Sequence, residues 1–442
     1  MKKYLSLIIL NYFRYLAKLQ LRKNPDATII GITGSAGKTS TRLAIVQILK
    51  TRGVVKHSVH ANSESGIPLN ILGLSPTDYS VFDWLRLIIL APIKLLTNKE
   101  TFKYYVVEMG IDSPRYPKNM AYLLSIVRPH VAVVLNASLT HASEFDYLVK
   151  DASPVRRSEK LISLIAKEKM QLARGVGSSG VAIINLDQKE FARSSKDVAG
   201  RIITFGKSDK ANLKILSTTI TSRGFNFRFS YLSQKYELAL PDIYPEHYAY
   251  TFAAAIATAA SLGIPPTISL PSLASFRAPA GRLRIFPGFS DSTIIDSSYN
   301  ASPSTMFESL KLLDHLAGSR KKIAVIGDMR ELGVSAKLAH KNLVDWVMKY
   351  TDEVILFGDL TKQYCLPVLE SRKFPVHHFA QMSQLTKYLR SIVRPKSYIL
   401  VKGSQNELFL ERAVESILAD QKDVAKLCRR GPFWDKLRAK TP

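Results

Sequence analysis

The 442-residue sequence predicts an α/β protein with a central P-loop-containing doubly wound domain, a second Rossmann-like α/β domain after it, and a short amphipathic helix in front. Three observations predict this architecture. Strand-like apolar runs alternate with helical patterns along most of the chain, as in parallel sheets that are covered by helices. A glycine-rich turn joins the first strand to the helix that follows it. The chain is also too long for one hydrophobic core.

Composition narrows the class of function. The apolar content of 46% is typical of a soluble globular protein. Two cysteines are too few for a disulfide framework or a zinc site, which predicts a reducing, cytoplasmic setting. The net charge of +26 predicts an anionic partner, either a phosphorylated substrate or a membrane surface. Nucleic acid is not expected, because neither zinc-finger spacing nor a basic-aromatic ribbon is present.

Two apolar segments with embedded charges are predicted to lie in a membrane interface or on the protein's own surface. Residues 1–23 form an amphipathic pattern with a basic stripe, and Arg14 and Lys18 interrupt it too early for a membrane span. No small-residue cleavage site follows, so a signal peptide is not expected. Residues 81–96 are a second such segment, in which Pro92 is expected to break the helix. Peripheral membrane contact through both segments is the resulting prediction.

The glycine-rich turn at residues 31–40 is the strongest candidate site. A strand pattern at 27–30 precedes it and a helical pattern at 41–50 follows, so backbone N–H groups and a helix N-terminus point at a phosphate. Lys38 can add charge at the phosphates and the Thr39 hydroxyl can bind Mg²⁺. The alternative is a glycine turn before an ordinary helix. The predicted phosphate-binding residues are Gly34, Ser35, Ala36, Gly37, Lys38, Thr39 and Ser40.

Two later strands carry candidate metal ligands at their ends. The apolar run at 104–108 ends in Glu108, and a second strand at 131–136 is followed by His141. Ligands of open α/β sheets collect at the carboxyl ends of strands, so Glu108 is placed to meet a metal near the phosphate loop. A lone histidine is more often structural than catalytic. His141 is a stronger candidate only because it follows a strand of the same sheet.

The remaining chain predicts more strands and one long helix. Residues 180–187 form a strand, residues 201–240 alternate as antiparallel strands do, and a helix covers 249–262 before Gly263 and two prolines. Composition changes at 276–282, which is the predicted domain boundary. Later strands are predicted at 293–296, 322–327, 353–358 and 398–402. The predicted divisions are a basic helix at 1–26, an ATP-binding domain at 27–276, a C-terminal domain at 277–421 and a loosely held basic tail at 422–442.

Seven motifs in order give the sequence a family resemblance. Besides the phosphate loop they are the segments at 61–69, Glu108-Met-Gly, Asn136 to His141, 294–306, 327–333 with His340, and 401–404. Together they resemble the Mur ligase family, and specifically its MurF branch, over residues 27–418. Members of that branch add D-alanyl-D-alanine to UDP-N-acetylmuramoyl-tripeptide in peptidoglycan synthesis, which determines cell shape.

The resemblance implies an ATP-dependent, ADP-forming carboxylate–amine ligase that uses ATP and Mg²⁺, acts through an acyl phosphate and binds an anionic cell-wall precursor. It implies catalytic roles for Lys38, His141 and Lys169, the last as a carbamoylated metal ligand with Lys160 as the alternative. It also implies ATP contacts from His247, Arg282 and Asp296. The implied metal ligands are Thr39, Glu108, His141 and Lys169. The implied location is cytoplasmic, with peripheral contact at the inner face of the membrane.

Departures from the family pattern keep other functions open. About 26 residues precede the loop, so the usual N-terminal UDP-sugar domain is expected to be absent. Tyr248 and Thr251 stand where the family has Asn, and Ser297 replaces an Asp. One alternative is a non-catalytic nucleotide-binding protein that tethers a partner at the membrane. Another is a Mur-like ligase with a non-muramoyl substrate. Arg282 and Asp296 could also form an interdomain ion pair, and Lys169 could be a solvated helix residue.

Overall fold

A nine-stranded sheet forms the first half of the protein. The computed structural model describes residues 2–59, 61–221, 224–405 and 407–439, so Met1 and residues 440–442 of the predicted termini lie outside the described residues. The strands are β1 (Thr28–Thr33), β2 (Val55–His57), β3 (Tyr104–Glu108), β4 (Val131–Val134), β5 (Val181–Asn185), β6 (Arg201–Gly206), β7 (Leu213–Thr221), β8 (Gly224–Tyr231) and β9 (Gln234–Leu240). Their order is β2-β3-β1-β4-β5-β6-β7-β8-β9, parallel as far as β7 and antiparallel beyond it.

Helices cover both faces of this sheet. They are α1 (Lys2–Leu21), α2 (Lys38–Leu49), α3 (Gly66–Leu72), α4 (Val81–Thr97), α5 (Met120–Ile126), α6 (Pro154–Arg174), α7 (Lys189–Ser194), α8 (Tyr248–Ser261) and α9 (Pro266–Leu273). Alternate residues of β4 enter different cores, because side chains of a strand point to opposite faces. Val131 and Val133 pack with α2 and α8, whereas Ala132 and Val134 pack with α5 and α6.

A six-stranded sheet forms the second half. Its strands are β10 (Arg284–Gly288), β11 (Ser292–Ser297), β12 (Lys322–Gly327), β13 (Glu353–Phe357), β14 (Val376–Phe379) and β15 (Tyr398–Lys402). The order is β10-β11-β15-β12-β13-β14, and every pair is parallel except the antiparallel edge pair β10–β11. The helices are α10 (Pro303–Ala317), α11 (Ala336–Tyr350), α12 (Asp359–Tyr364), α13 (Leu366–Ser371), α14 (Met382–Ile392), α15 (Glu411–Ser416) and α16 (Pro432–Arg438).

The predicted fold class of two doubly wound α/β sheets is confirmed. One strand assignment was wrong: β6 pairs in parallel with β5, so the antiparallel part of residues 201–240 begins only at β7. The sequence of residues 201–206 has the alternation of a half-exposed strand. Such alternation alone does not distinguish parallel from antiparallel pairing. The predicted boundary at 276/277 falls between α9 and β10, and the division into domains stays a prediction.

Helix α4 is continuous through Pro92, so the predicted break is wrong. Proline has no N–H to donate to the carbonyl four residues earlier, which leaves the Ile88 oxygen without its usual helical partner. The Tyr12 hydroxyl of α1 donates to that oxygen at 3.0 Å. Packing of α1 on α4 therefore supplies the hydrogen bond that Pro92 removes. No helix among the described residues is both long and apolar enough to cross a membrane.

The start of α4 is fixed by a buried carboxylate. The Ser80 hydroxyl caps the helix by accepting a hydrogen bond from the Asp83 N–H. One Asp83 oxygen accepts from the three backbone N–H groups of residues 77–79, and the other accepts from Arg86. With its hydrogen-bonding capacity filled in this way, Asp83 ties the preceding loop to the first turn of the helix.

The C-terminal segment is more firmly packed than the predicted loose tail. Leu427 and Cys428 are buried against the second sheet. Arg429 forms a fully buried ion pair with Glu411, with 2.6 Å between Nη1 and Oε2. The prediction of a loosely held tail is therefore wrong for residues 427–429, whereas Lys422 and Lys426 are exposed.

Candidate active site

The phosphate loop has the backbone geometry that a bound anion requires. Gly37 has φ 84°, in the left-handed region where a side chain is strained, and α2 begins directly after it. A Cβ at position 34 would lie 2.9 Å from the Leu135 side chain, so this position of the loop accommodates only glycine. The Lys38 ammonium donates to the Gly34 carbonyl at 2.6 Å and thus folds over the loop. Burial lowers the pKa of Lys38, with the Glu108 charge opposing that change.

Polar residues that follow β4 brace the loop from beneath. The Asn136 side chain accepts from the Ala36 N–H at 2.9 Å and donates to the Ala36 carbonyl at 3.1 Å. The Ser35 hydroxyl accepts from the Ser138 N–H at 2.9 Å. These bonds satisfy the backbone of Ala36, and the Ser35 N–H donates to the Asn136 carbonyl at 3.0 Å, so the residues after β4 fix the shape of the loop. The bracing explains why an asparagine stands at the end of this neighbouring strand.

Glu108 joins the loop to the end of β3, as the sequence predicts. Its Oε2 accepts a hydrogen bond from the Thr39 hydroxyl at 3.1 Å, and its Oε1 accepts from Arg42 Nε at 2.7 Å. Arg42 is buried and also hydrogen-bonds to the ring of His57, whose pKa is lowered to about 4 by burial and by Arg42. Sequence reasoning missed Arg42. Its position three residues after Thr39 on α2, hence on the same helix face, is the signal that could have found it.

His141 lies at the join between the two halves of the protein. Its Nδ1 is 2.7 Å from Glu331 Oε2 of the second half, and its Nε2 is 3.6 Å from Asp112 Oδ1. Neither carboxylate was predicted as a site residue. Asp112 follows Glu108 by four residues, so its place beyond the end of β3 was a usable signal, whereas Glu331 is distant in sequence.

Lys169 is buried, so the alternative of a solvated helix lysine is wrong. Burial and the nearby Lys38 charge lower its pKa to about 7, while Asp112 opposes the change. Lys160, the other candidate, is exposed and pairs with Asp151 at 2.8 Å. Burial thus distinguishes the two lysines, and the metal-binding role of Lys169 stays a prediction.

A cleft of about 660 Å³ opens between the phosphate loop and the second sheet. Its walls include Ser35, Gly37, Ser40, His247, Arg282 and Lys402. Tyr248, one of the departures from the family pattern, bridges the two halves because its hydroxyl contacts Ser40 Oγ at 3.2 Å and donates to the Arg282 carbonyl at 3.1 Å. His247 is half-exposed overall, yet its Nδ1 is buried and lacks a partner among the described residues. Burial lowers the pKa of His247 to about 4.

Lys402, at the end of β15, was not predicted as a site residue. Its ammonium donates to the Ser297 hydroxyl and to the Asn300 carbonyl, both at 3.0 Å. Burial and the Arg282 charge lower its pKa to about 7. Ser297 stands where the family has Asp, so this lysine has a neutral hydroxyl beside it instead of a carboxylate. The cleft therefore contains a buried cation that a nucleotide phosphate could neutralise.

Arg282 and Asp296 behave differently from each other. The Arg282 guanidinium lies 4.4 Å from the centre of the Tyr299 ring and faces the cleft. Asp296 is fully buried behind the cleft wall, where its Oδ1 accepts from the N–H and hydroxyl of Ser298. Burial raises the pKa of Asp296. Within the described residues the two do not form the ion pair that was considered as an alternative. An ATP contact by Asp296 stays a prediction.

The donor chemistry of the site fits Mg²⁺. Thr39 and Glu108 offer a hydroxyl and a carboxylate beside the phosphate loop, and Mg²⁺ prefers oxygen ligands completed by substrate phosphates. No group of three or more His, Cys, Asp and Glu side chains in the described part of the chain is arranged as a metal site. Binding of Mg²⁺ at Thr39, Glu108, His141 and Lys169 therefore stays a prediction.

Family models match most of this structure. The Mur ligase middle domain matches residues 32–152 and 159–259, and the Mur ligase glutamate ligase domain matches residues 281–405. The chain belongs to the Mur ligase family. It is therefore an ATP-dependent ligase that forms an amide bond and releases ADP.

Relatives of the chain carry MurF names. The UDP-N-acetylmuramoyl-tripeptide–D-alanyl-D-alanine ligase of Buchnera aphidicola (subsp. Baizongia pistaciae) is 27% identical over 405 residues, which is 90% of this chain and 77% of that protein. The Escherichia coli (strain K12) enzyme of the same name is 24% identical over 87% of this chain and 76% of its own.

Solved structures share the fold. MurF from Acinetobacter baumannii has a TM-score of 0.73 at 22% identity, covering 92% of this chain and 79% of that one. MurF from Thermotoga maritima in complex with ADP has a TM-score of 0.72 at 22% identity, covering 98% and 84%.

Proposed function

We propose that this Mur ligase joins D-alanyl-D-alanine, or a closely similar amine, to a peptide carboxylate of a peptidoglycan precursor. The observation that carries the proposal is the convergence of Lys38, Thr39 and Glu108 at one edge of the first sheet, facing a cleft closed by the second. The names of the relatives support the choice of substrates.

The reaction divides into two displacements. A carboxylate oxygen of the acceptor attacks the γ-phosphorus of ATP, forming an acyl phosphate and releasing ADP. The amine nitrogen then attacks the acyl carbon, phosphate leaves, and the nitrogen loses a proton to give the amide. Such transfers depend on positioning and charge neutralisation more than on covalent help from the protein.

The phosphate loop supplies the positioning. Loop amides around Gly37 and the Lys38 ammonium would hold the β and γ phosphates. Thr39 and Glu108 would hold Mg²⁺, which when bound neutralises charge on the transferred phosphoryl group. The ion pair with Arg42 orients the Glu108 carboxylate toward Thr39. His141 and Lys169 would complete the site beside the acceptor carboxylate.

The environment of Lys169 favours the carbamate that its proposed role requires. Only a neutral amine reacts with CO₂. With a pKa of about 7, roughly half of the Lys169 side chains are neutral at pH 7, against about one in 2,500 for a lysine of ordinary pKa near 10.4. The product exchanges a cation for an anionic oxygen ligand, which suits a magnesium ion.

Phosphate release tests the proposal directly. The purified protein is incubated with ATP, Mg²⁺ and D-alanyl-D-alanine, and with either a UDP-linked or a lipid-linked muramoyl peptide as acceptor. Turnover with either acceptor, lost in Lys38→Ala, is the expected result. ATP binding without turnover on any acceptor would instead favour the non-catalytic tethering protein, and turnover only with other acids a non-muramoyl ligase.

We also propose that α1 and α4 place the enzyme on an anionic membrane surface. One stripe of α4 exposes Phe82, Leu85, Ile89, Ile93 and Leu96, each about half exposed or more, at the spacing of a single helix face. Leu5 and Ile8 of α1 are exposed as well. Stripes of this size bordered by basic residues such as Lys94 are typical of helices that lie in a lipid interface, and the net charge of +26 favours anionic lipid.

Vesicle sedimentation tests the membrane proposal. The parent protein should sediment with vesicles containing phosphatidylglycerol and remain soluble with phosphatidylcholine alone. The double variant Phe82→Asp/Ile89→Asp should remain soluble in both cases. Leu232→Asp is the matched control, because Leu232 is 78% exposed on the remote β8–β9 turn and should not affect sedimentation. Equal soluble fractions for the parent and the double variant would end the proposal.

A further inference from the structure

The two halves of the protein meet through short hydrogen-bonded loops as well as through the cleft. The Ser143 N–H donates to the Glu331 carbonyl at 3.2 Å, and the Val334 N–H donates to Asp146 Oδ2 at 2.9 Å. A Cβ on Gly333 would lie 1.9 Å from the same Asp146 oxygen, so the two loops are in close contact. This contact holds the loop that carries His141 against the loop that carries Glu331.

His141 and Glu331 meet with an unusual backbone geometry on both sides. His141 has φ 57° and Glu331 has φ 63°, and both are non-glycine residues in the left-handed region. Such conformations are uncommon and strained, so they persist where surrounding contacts hold them. Here they bring His141 Nδ1 within 2.7 Å of Glu331 Oε2.

The Glu331 contact determines which imidazole nitrogen can bind a metal. A carboxylate can only accept, so the hydrogen-bonded Nδ1 is the nitrogen that carries the proton. Nε2 then keeps its lone pair and lies on the side of Asp112, 3.6 Å from its Oδ1. Thr140, next to His141, lines the same cleft as Ser35 and Gly37, so this loop borders the phosphate loop. Histidines that bind metals are commonly oriented by a carboxylate in this way.

We infer that Glu331 is a positioning residue through which the C-terminal half controls the metal ligand His141. When the halves are together, the Glu331 carboxylate fixes the tautomer and direction of the imidazole. When they separate, His141 loses that partner and its metal affinity falls. Assembly of the second metal position is thereby coupled to domain closure. The inference rests on the proposed function, since it assumes that His141 binds an ion.

Manganese binding measured by electron paramagnetic resonance, with ADP present and no turnover, tests the inference. The parent protein should bind one Mn²⁺ with the nucleotide and a second more weakly. In Glu331→Ala the second ion should bind about tenfold more weakly. In Glu331→Gln binding should be largely retained, because the amide oxygen can still accept the Nδ1 proton. His141→Ala and His141→Ala/Glu331→Ala should be equally weak, since Glu331 acts through the histidine.

Asp146→Ala is the matched control for loss of an interdomain contact, because it removes the acceptor of the Val334 N–H without contacting His141. It should leave the affinity for the second ion unchanged, since the Ser143–Glu331 backbone bond still joins the loops. Equal loss in Asp146→Ala and Glu331→Ala, or parent-like binding by Glu331→Ala, would overturn the role of Glu331. Absence of a second ion in the parent protein would instead contradict the proposed two-metal function. Thermal unfolding checks that each variant is folded. If Glu331→Ala does not fold, Glu331→Gln is used for the measurement instead.

Discussion

The two sides of the active site are built differently. The phosphate side comes from neighbouring strands of one sheet, where Ile32 of β1 pairs with Glu108 of β3, so short stretches of sequence place it. The cleft side comes from the start of α8, the connection before β10 and the end of β15 in the other sheet. Local strand order thus determines the first side, and the packing of two separate sheets determines the second.

The two sides also differ in electrostatics. On the phosphate side, the Glu108 carboxylate accepts from Thr39 and Arg42, and its charge is paired with Arg42 without a ligand. On the cleft side, Lys402 is buried and has a pKa of about 7, so it is only partly protonated at neutral pH. The Nδ1 atom of His247 has no partner within the described residues. The first side is therefore preorganised, whereas the second is completed by the anionic nucleotide.

The largest expected effect belongs to the phosphate side. In Lys38→Ala, phosphate release should fall by about a thousandfold, because the charge beside the transferred phosphoryl group is lost. Steady-state phosphate release measures this. Lys50→Ala is the control, since Lys50 is exposed at the other end of the same helix and should leave the rate unchanged. A comparable loss in both variants would mean that general damage to α2, and not the loop charge, is responsible.

Glu108→Ala should separate stability from catalysis. It leaves Arg42 buried without its partner, so the free energy of unfolding should fall by about 3–5 kcal/mol. The double variant Glu108→Ala/Arg42→Met should recover much of that loss but no activity. Urea unfolding and phosphate release are the measurements. Unchanged stability in Glu108→Ala would argue against a buried, paired carboxylate.

Lys169→Met should make the protein inactive and more stable. The pKa of Lys169 is about 7 in the folded chain and near 10.4 in the unfolded chain, so between these pH values the unfolded chain binds more protons. Parent stability should therefore rise with pH across this window, with the penalty fully present below pH 7. In CO₂-free buffer the variant's stability advantage should shrink by about 2–3 kcal/mol from pH 7 to pH 9, measured by urea unfolding. A stability difference between Lys169→Met and the parent that stays constant with pH would contradict a lowered pKa for Lys169.

A smaller effect is expected at Lys402. Its pKa of about 7 means that it loses its charge between pH 6 and pH 8, so the attraction for ATP should weaken as pH rises. The KM for ATP should increase by roughly three- to tenfold across this range, and Lys402→Met should show a high KM that this titration no longer changes. If the variant keeps the parent's pH profile, another group is responsible.

The smallest effect is expected for Tyr248→Phe, which removes one hydroxyl bridge between the halves. The loss should be about 1 kcal/mol in nucleotide binding, a few-fold in Kd, with little change in maximal rate. Isothermal titration with ADP measures it. A large loss of ADP affinity would mean that the Tyr248 bridge, and not the buried Lys402 ammonium, holds the two halves together.

Sequence reasoning was most successful where chemistry and spacing coincide. The fold class, the phosphate loop and the place of Glu108 follow from strand ends and glycine positions. Glu331 and Lys402 lie in the motifs at 327–333 and 401–404, yet neither was predicted as a site residue. They reach the site from the second sheet, and a single sequence contains no information on how the two sheets pack. The continuity of α4 escaped prediction for a similar reason, since the hydroxyl that replaces the missing proline bond comes from Tyr12 of another helix.

The carboxylate cage of Asp83 has a consequence for any encounter with lipid. Because Asp83 fixes the first turn of α4 and the Tyr12 hydroxyl supports its middle, the helix is already formed before a bilayer is met. Adsorption then needs no coil-to-helix transition and loses no backbone entropy to it. The far-UV circular dichroism should accordingly be the same with and without vesicles, in contrast to peptides that fold as they insert.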